Sequence, residues 1–318
     1  VKLLTMTNEM RAVTVEAFGE PEVMKVGDVA RPVPGLDEIV VEVRAAGVNP
    51  VDWKVRKDGY WLTTPWVPGW DVSGVVVSVP AGENRFEVGD EVFGMPHFPR
   101  AAGAYAEYVA APARHFARKP ANVDHVHAAA LPLAALTAWQ SLTEAAKVKP
   151  GDRVLVHAAA GGVGHLAVQL AKTLGAHVIG TARAAKHDLL RELGADELVD
   201  YTTRDFAELE DVDAVLDLIG GDDYVRRSMR VLKPGGVYVG MTNPGLLPEL
   251  RVAAAELGVR ATTFFVAPDH AGLEHVAGLV ERGELNVLVA ETFPLADVVK
   301  AHEFGEANRT TGKIVLTL

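Results

Sequence analysis

Val154-Leu155-Val156-His157-Ala158-Ala159-Ala160-Gly161-Gly162-Val163-Gly164 reads as an apolar strand entering a glycine-rich turn, and His165-Leu166-Ala167-Val168-Gln169-Leu170-Ala171-Lys172 continues it as a helix. A dinucleotide-binding turn makes three demands in that order: a tight turn, a residue without a side chain where a pyrophosphate approaches the backbone, and a small residue where helix and strand pack closely. Ala159, Gly161 and Gly164 stand at those places. The backbone from Ala160 through Gly161, Gly162 and Val163 to Gly164 then faces the anion with free N–H groups and the positive end of the helix dipole, so no basic side chain is needed there. The alternative for any glycine cluster is a turn needed only for packing. The strand before, the helix after and the repetition of that unit downstream favour cofactor binding.

Downstream, short apolar strands alternate with helical stretches: His177-Val178-Ile179, Leu198-Val199, Ala214-Val215-Leu216 and Gly236-Val237-Tyr238-Val239. That alternation predicts an α/β fold with a doubly wound parallel sheet. In an NAD site the strand after the glycines usually ends in an acid for the ribose hydroxyls, about 20 residues on. Here it ends Gly180-Thr181-Ala182-Arg183-Ala184-Ala185-Lys186, with no acid and two cations. Arg183 and Lys186 suit a 2′-phosphate, so NADPH is the expected cofactor. Their other reading, solvated charges at a helix start, runs against the helix dipole.

Upstream, from Met10 to about Val109, the texture is different: short alternating strands such as Glu38–Val43 and Val72–Val77, broken by Gly and Pro. Around residue 130 it changes to Ala and Leu at helical spacing, and the boundary is placed near Pro132. A β-rich domain from 1–131 and 267–318 and a dinucleotide domain from 132–266 are the expected division, in a chain of 318 residues long enough for two cores. A helical stretch from about Gly272 to Arg282 and a final apolar run, Lys313-Ile314-Val315-Leu316, close the chain.

The balance of 49% hydrophobic and 23% charged residues is that of a globular protein. A formal net charge of −11 disfavours nucleic acid and anionic membrane surfaces as partners. No apolar run is as long as a membrane span, and the first residues lack the pattern of a targeting signal, so a cytoplasmic protein is the expectation. There is no cysteine, which removes thiolate nucleophiles and every cysteine-containing zinc site. His97, His115, His125 and His127 have a paired spacing incidental to a loop-to-helix stretch with no accompanying carboxylate constellation, and no metal is expected.

Four motifs, GVNPVDWKVR at 47–56, PGWDVSGVV at 68–76, LTAW at 136–139 and HAAAGGVGH at 157–165, make the chain resemble the zinc-free quinone oxidoreductase branch of the medium-chain dehydrogenase/reductase superfamily. The resemblance runs over nearly the whole length. It implies a Rossmann domain plus a GroES-like catalytic domain, completed by the last strand in TTGKIVL at 310–316, and a homodimer. It also implies that Thr137 lies near the nicotinamide carboxamide and Tyr201 by the adenosine phosphate. Thr181, Ile219 with Gly220, Gly240 with Met241 and Thr242, and Phe264 with Phe265 fall where relatives line the cofactor.

Hydride delivery to the β-carbon of an enone builds negative charge on the carbonyl oxygen, and a positioned donor or cation stabilises it. Asn49 and Lys54 are the candidates. Lys54 stands where many quinone reductases of this family carry Tyr, and NPVDWK is similar to plant and bacterial enone reductases, which shifts the expected acceptor toward α,β-unsaturated carbonyl compounds. The plain alternatives are that Lys54 pairs with Asp52 or lies in solvent and that Asn49 caps a turn before Pro50. The expected activity is therefore NADPH-dependent reduction of an enone or a quinone. A dedicated quinone oxidoreductase is the alternative within the class, and a non-catalytic NADPH-binding sensor or structural protein the alternative outside it.

Overall fold

The computed structural model describes residues 8–82, 85–241 and 248–318; Thr242 lies outside them. The chain opens with strands β1 (Glu9–Val15), β2 (Met24–Ala30) and β3 (Glu38–Val48), helix α1 (Pro50–Asp58), strands β4 (Asp71–Ser78), β5 (Glu91–Gly94), β6 (Tyr108–Pro112) and β7 (Phe116–Arg118), and helices α2 (His125–Ala129) and α3 (Pro132–Gln140). Next come β8 (Arg153–Val156), α4 (Gly164–Thr173), β9 (His177–Thr181), α5 (His187–Glu192), β10 (Glu197–Val199), β11 (Val212–Asp217), α6 (Asp222–Arg230), β12 (Leu232–Gly240), α7 (Pro248–Glu256) and β13 (Arg260–Thr263). The chain closes with α8 (His270–Glu281), β14 (Val289–Pro294), α9 (Val298–Glu306) and β15 (Lys313–Thr317).

Two compact units result. One comprises the residues up to Leu133 with Ala267–Glu281 and Val287–Leu318; the other comprises Ala134–Val266 with Arg282–Asn286. The sequence reading assigns 267–318 to the first unit without interruption, whereas Arg282–Asn286 goes with the second. The cause is Gln169 on α4, whose amide donates to the Asn286 carbonyl and accepts its N–H, both at 2.8 Å.

In the second unit six strands run in the order β10-β9-β8-β11-β12-β13, all pairs parallel. Strand order reverses between β8 and β11, the arrangement of a doubly wound Rossmann sheet, so the carboxyl ends of β8 and β11 form the expected ligand crevice. The strands are short and apolar on both faces because helices cover them. α4 is buried from Gly164 through Ala171. α6 carries Asp222 and Asp223 in its first turn and Arg227 and Arg230 in its last, which complements its dipole.

In the first unit a sheet runs β14-β15-β3-β4-β5-β7, with β6 also on β3, beside the separate β1–β2 hairpin. β15 enters antiparallel to β3, with Ile314 opposite Val48 and Thr317 opposite Ala45. The residues that end the chain therefore complete the sheet that its first third began. The helical spacing read at 128–146 is delivered by α2, by α3 and by a six-residue π turn, Ser141–Ala146, that stops at a left-handed Lys147.

Close approach at the end of β3 explains Gly47. A Cβ there would lie 2.5 Å from the Ala129 carbonyl oxygen and 2.9 Å from the Asp71 Cβ, so β3, β4 and α2 meet only because it is absent. Gly47→Ala is expected to cost about 2 kcal/mol and to lower the thermal midpoint by about 4–8 °C. An unchanged midpoint in a calorimetric scan would contradict that packing.

Candidate functional site

The glycine-rich turn between β8 and α4 is closed by backbone geometry. Ala158 takes a left-handed φ of 48°, and its carbonyl accepts the Gly161 N–H at 2.8 Å, closing the turn. A Cβ on Gly164 would overlap the Ala158 carbonyl oxygen and sit 2.8 Å from the Ala159 Cα, so α4 packs on the turn only through a glycine. One on Gly161 would meet that same oxygen at 3.1 Å. Among the described residues no protein acceptor takes the backbone N–H groups of Gly162, Val163 and Gly164. They are the orphan donors of a helix start, and a pyrophosphate fits them.

Thr181 does a different job from the one expected. It is fully buried, its hydroxyl accepts the Ala158 N–H at 3.2 Å and its carbonyl accepts the Ala159 N–H at 3.0 Å. It holds the turn from behind. His157, also fully buried, completes this backing: Nε2 lies 2.9 Å from the Ser228 hydroxyl, Nδ1 3.3 Å from Thr181 Oγ1 and 3.2 Å from the Tyr224 hydroxyl. Burial pushes its imidazole down to about 4, so it is a neutral hydrogen-bonding group near pH 7.

At the tips of β9 and β10, Arg183 Nε donates to the Tyr201 hydroxyl at 3.1 Å, and both side chains are exposed. The structure thus joins two residues that the sequence names separately. Asp200 is beside them, but its carboxylate already accepts the N–H groups of Ala184 and Thr202 and the Thr202 hydroxyl. These donors hold it below the usual carboxylate range, and it serves the turn. Lys186 ends the short helical turn Ala184–Lys186.

Sequence reasoning missed Asp217, at the end of β11. It is fully buried; Oδ1 accepts the N–H groups of Ile219 and Gly220 at 2.8 and 3.0 Å, and Oδ2 accepts the Tyr238 hydroxyl at 2.6 Å. It shapes the loop that leaves Ile219 44% exposed at the carboxyl edge of the sheet. An acid at a strand end followed by two glycines was the available signal. Gly240 closes β12 and its carbonyl accepts the Phe264 N–H at 2.9 Å, which ties the two expected lining segments together; Phe265 is half exposed and Thr137 is buried in α3.

In the first unit α1 presents a buried polar face. Asn49 is its N-cap and only 1% exposed. Its Nδ2 donates to Asp71 Oδ2 at 2.8 Å, its Oδ1 accepts from Lys313 Nζ, and its backbone N–H goes to Asp52 Oδ2 at 2.6 Å. Asp71 Oδ1 accepts the Leu133 N–H at 2.7 Å, and Lys313 Nζ lies 3.6 Å from Asp71 Oδ2. Burial pushes the Asp71 carboxyl up and the Lys313 ammonium down, each partly held by the other's opposite charge.

Further along α1, Arg56 is fully buried. Its guanidinium meets His302 Nδ1 at 3.0 Å, the Gly19 carbonyl at 3.1 Å and Glu306 at 2.7 Å. Arginine only donates, so His302 Nδ1 accepts and its proton sits on Nε2, which faces the Tyr105 hydroxyl at 3.4 Å. Tyr105 in turn donates to Asp52 Oδ2 at 3.0 Å. Tyr105 is therefore a buried link in this frame, whereas half-buried Tyr108 stacks under the Arg31 guanidinium.

Lys54 stands on the opposite, exposed face of α1. It makes no ion pair or hydrogen bond with any described residue, which corrects the expected alternative of a pair with Asp52. Partial burial lowers its ammonium pKa from the ordinary lysine value. Among the described residues no three His, Asp or Glu side chains are grouped to hold a metal ion, and no helix is long and apolar enough to cross a membrane.

Comparison with known proteins agrees with both halves. Residues 35–121 match the alcohol dehydrogenase GroES-like domain, and residues 193–316 match the zinc-binding dehydrogenase family. The chain is 35% identical to a 2-methylene-furan-3-one reductase of Solanum lycopersicum, over 98% of this chain and 80% of that one. It is 34% identical, with the same coverage, to the chloroplastic NADPH-dependent alkenal/one oxidoreductase of Arabidopsis thaliana. The solved structure of the quinone oxidoreductase from Coxiella burnetii superposes with a TM-score of 0.90 at 36% identity, covering 98% of this chain and 99% of that one.

Two outcomes follow from the site. Arg183→Ala is expected to weaken binding of a nucleotide carrying a 2′-phosphate about tenfold or more, the scale of one lost charge-assisted hydrogen bond, and to leave binding of its 2′-hydroxyl counterpart within about twofold. Equal losses for both, in a fluorescence titration, would remove Arg183 from the phosphate. The second concerns Asp52, fully buried, whose carboxyl is pushed up from 3.8 to about 7, first by burial and then by the neighbouring Asp71 carboxylate. The folded protein keeps this proton where the unfolded chain has released it, so its burial costs stability increasingly as pH rises from 3.8 to about 7. The melting temperature of Asp52→Asn, relative to wild type, is expected to climb between pH 5 and 7 and then level off; a difference independent of pH would contradict the assignment.

Proposed function

The chain belongs to the medium-chain dehydrogenase/reductase superfamily, in its branch of quinone oxidoreductases and enone reductases, and from that premise we propose that it is an NADPH-dependent oxidoreductase that delivers a hydride to an α,β-unsaturated carbonyl compound or a quinone without zinc. The observation that carries the reading is the open phosphate turn at the start of α4, with the Arg183–Tyr201 pair at the neighbouring strand tips. The turn's free N–H groups take the pyrophosphate, and Arg183 with Tyr201 and Lys186 takes the 2′-phosphate. Thr181, His157 and Asp217 hold these backbones in place from behind.

NADPH held by these residues would supply a hydride for the β-carbon of the acceptor, so that the π pair of the double bond would move toward the carbonyl oxygen. Lys54 is the cation assigned to that oxygen, because no described residue pairs with it and it is partly desolvated, so its charge can be spent on the transition state. Asn49 is not assigned to it, since both ends of its amide are engaged by Asp71 and Lys313. A proton from solvent at the α-carbon completes the reduction. The named relatives act on a furanone, on alkenals and alkenones and on quinones, and Lys54 favours the unsaturated carbonyl class here.

A homodimer in the cytoplasm completes the proposal. β13 forms one outer edge of the Rossmann sheet, and half-exposed Phe265 follows it, which together offer a strand edge and an apolar anchor to a second copy.

The test is NADPH oxidation, followed at the nicotinamide absorbance after treatment with a chelator, against matched enones and quinones with NADH as the control. Turnover that prefers NADPH and survives chelation is expected, and Lys54→Met is expected to lower kcat at least about tenfold with NADPH affinity unchanged. NADPH binding without turnover of any acceptor would favour a sensor instead.

A further inference from the structure

Lys313 is a lysine buried to 3% exposure in the last strand of the chain, and neither cofactor binding nor hydride transfer accounts for it. β15 lies antiparallel to β3, and its ladder ends with Ile314 opposite Val48, so Lys313 falls one step further, across from Asn49. Its backbone is pinned from the other side, where its N–H donates to the Leu288 carbonyl at 2.8 Å. From that fixed point Nζ reaches the Asn49 side-chain oxygen and Asp71 Oδ2, while the other end of the Asn49 amide donates to the same Asp71 oxygen.

A buried ion pair of this kind is a poor way to gain stability, because desolvating both charges costs as much as their attraction returns. What it does supply is direction. The Asn49 amide can point only one way, with its oxygen toward the ammonium and its nitrogen toward the carboxylate. Asn49 is the N-cap of α1, so its position sets where that helix starts. Lys54 rides on the same helix five residues later, about 7.5 Å along the axis at 1.5 Å per residue. About one and two turns beyond Asn49, Asp52 and Arg56 anchor the same inner face to Tyr105, His302 and Glu306.

We propose that Lys313 is a positioning residue for hydride transfer: with Asp71 it grips the Asn49 amide, sets the start of α1 and thereby fixes where the Lys54 ammonium stands. The proposal rests on the role given above to Lys54. Misplacing a group that stabilises the transition state by about 1 Å lowers the rate up to about a hundredfold without weakening the cofactor's hold.

A double-mutant cycle between Lys313→Met and Lys54→Met tests it, with kcat, the acceptor KM and NADPH affinity measured on all four proteins. Lys313→Met alone is expected to lower kcat at least about tenfold with NADPH affinity within about twofold. In the Lys54→Met background the same change is expected to cost less than about twofold, because the group it positions is gone. Losses that multiply, or a Lys313→Met protein with wild-type kcat, overturn the positioning role. Full activity of Lys54→Met overturns the reading of Lys54 itself and this proposal with it, so the two failures are told apart. Should Lys313→Met not fold, Asn49→Ala, which leaves the Lys313–Asp71 pair intact, takes its place in the cycle. The same non-additivity is expected of it, and multiplying losses would instead mark Asn49 as a group in contact with substrate.

Discussion

A helix that offers its first backbone N–H groups to an anion directly after a strand must start almost in contact with that strand, and α4 does so. Gly164 meets that constraint: any side chain there would strike the Ala158 carbonyl. Much of the second unit follows from it. The turn needs a left-handed Ala158, the left-handed residue needs Thr181 to take its N–H, and Thr181 is held among His157, Ser228 and Tyr224 in the sheet's interior. Asp217 does for the loop after β11 what Thr181 does for the turn after β8. At the rim of the same sheet the exposed Arg183 and Tyr201 are joined by a hydrogen bond.

The first unit solves the opposite problem. Where the second keeps side chains out, the first buries charged ones, along the inner face of α1, and links them through contacts that run from Leu133 through Asp71, Asn49, Asp52, Tyr105, His302 and Arg56 to Glu306. Such a network gives uniqueness rather than stability. On the outer face of the helix Lys54 has no ion pair among the described residues.

Local pattern carried most of the fold. The strands Val154–Val156, His177–Ile179, Ala214–Leu216 and Gly236–Val239 were legible because buried parallel strands are continuous apolar runs, and the glycine-rich turn was legible because its close packing depends on missing side chains. Long-range pairing was not legible. Lys313 meets Asn49 across 264 positions and Arg56 meets His302 across 246, and nothing near either residue announces the partner. For the same reason the surroundings of Thr181 and Asn49 were not legible. One faces the back of a turn and the other the interior of a sheet, and both orientations depend on strands that arrive from elsewhere in the chain.

Transfer of a hydride from the nicotinamide to a carbon of the acceptor is measured most directly by following a label. NADPH carrying deuterium at both C4 positions, incubated with the protein and a simple enone in ordinary water, is expected to give a saturated ketone with one deuterium on the β-carbon and unlabelled hydrogen on the α-carbon, read by nuclear magnetic resonance. Product without deuterium at the β-carbon, or consumption of NADPH with the enone left intact, would contradict the account.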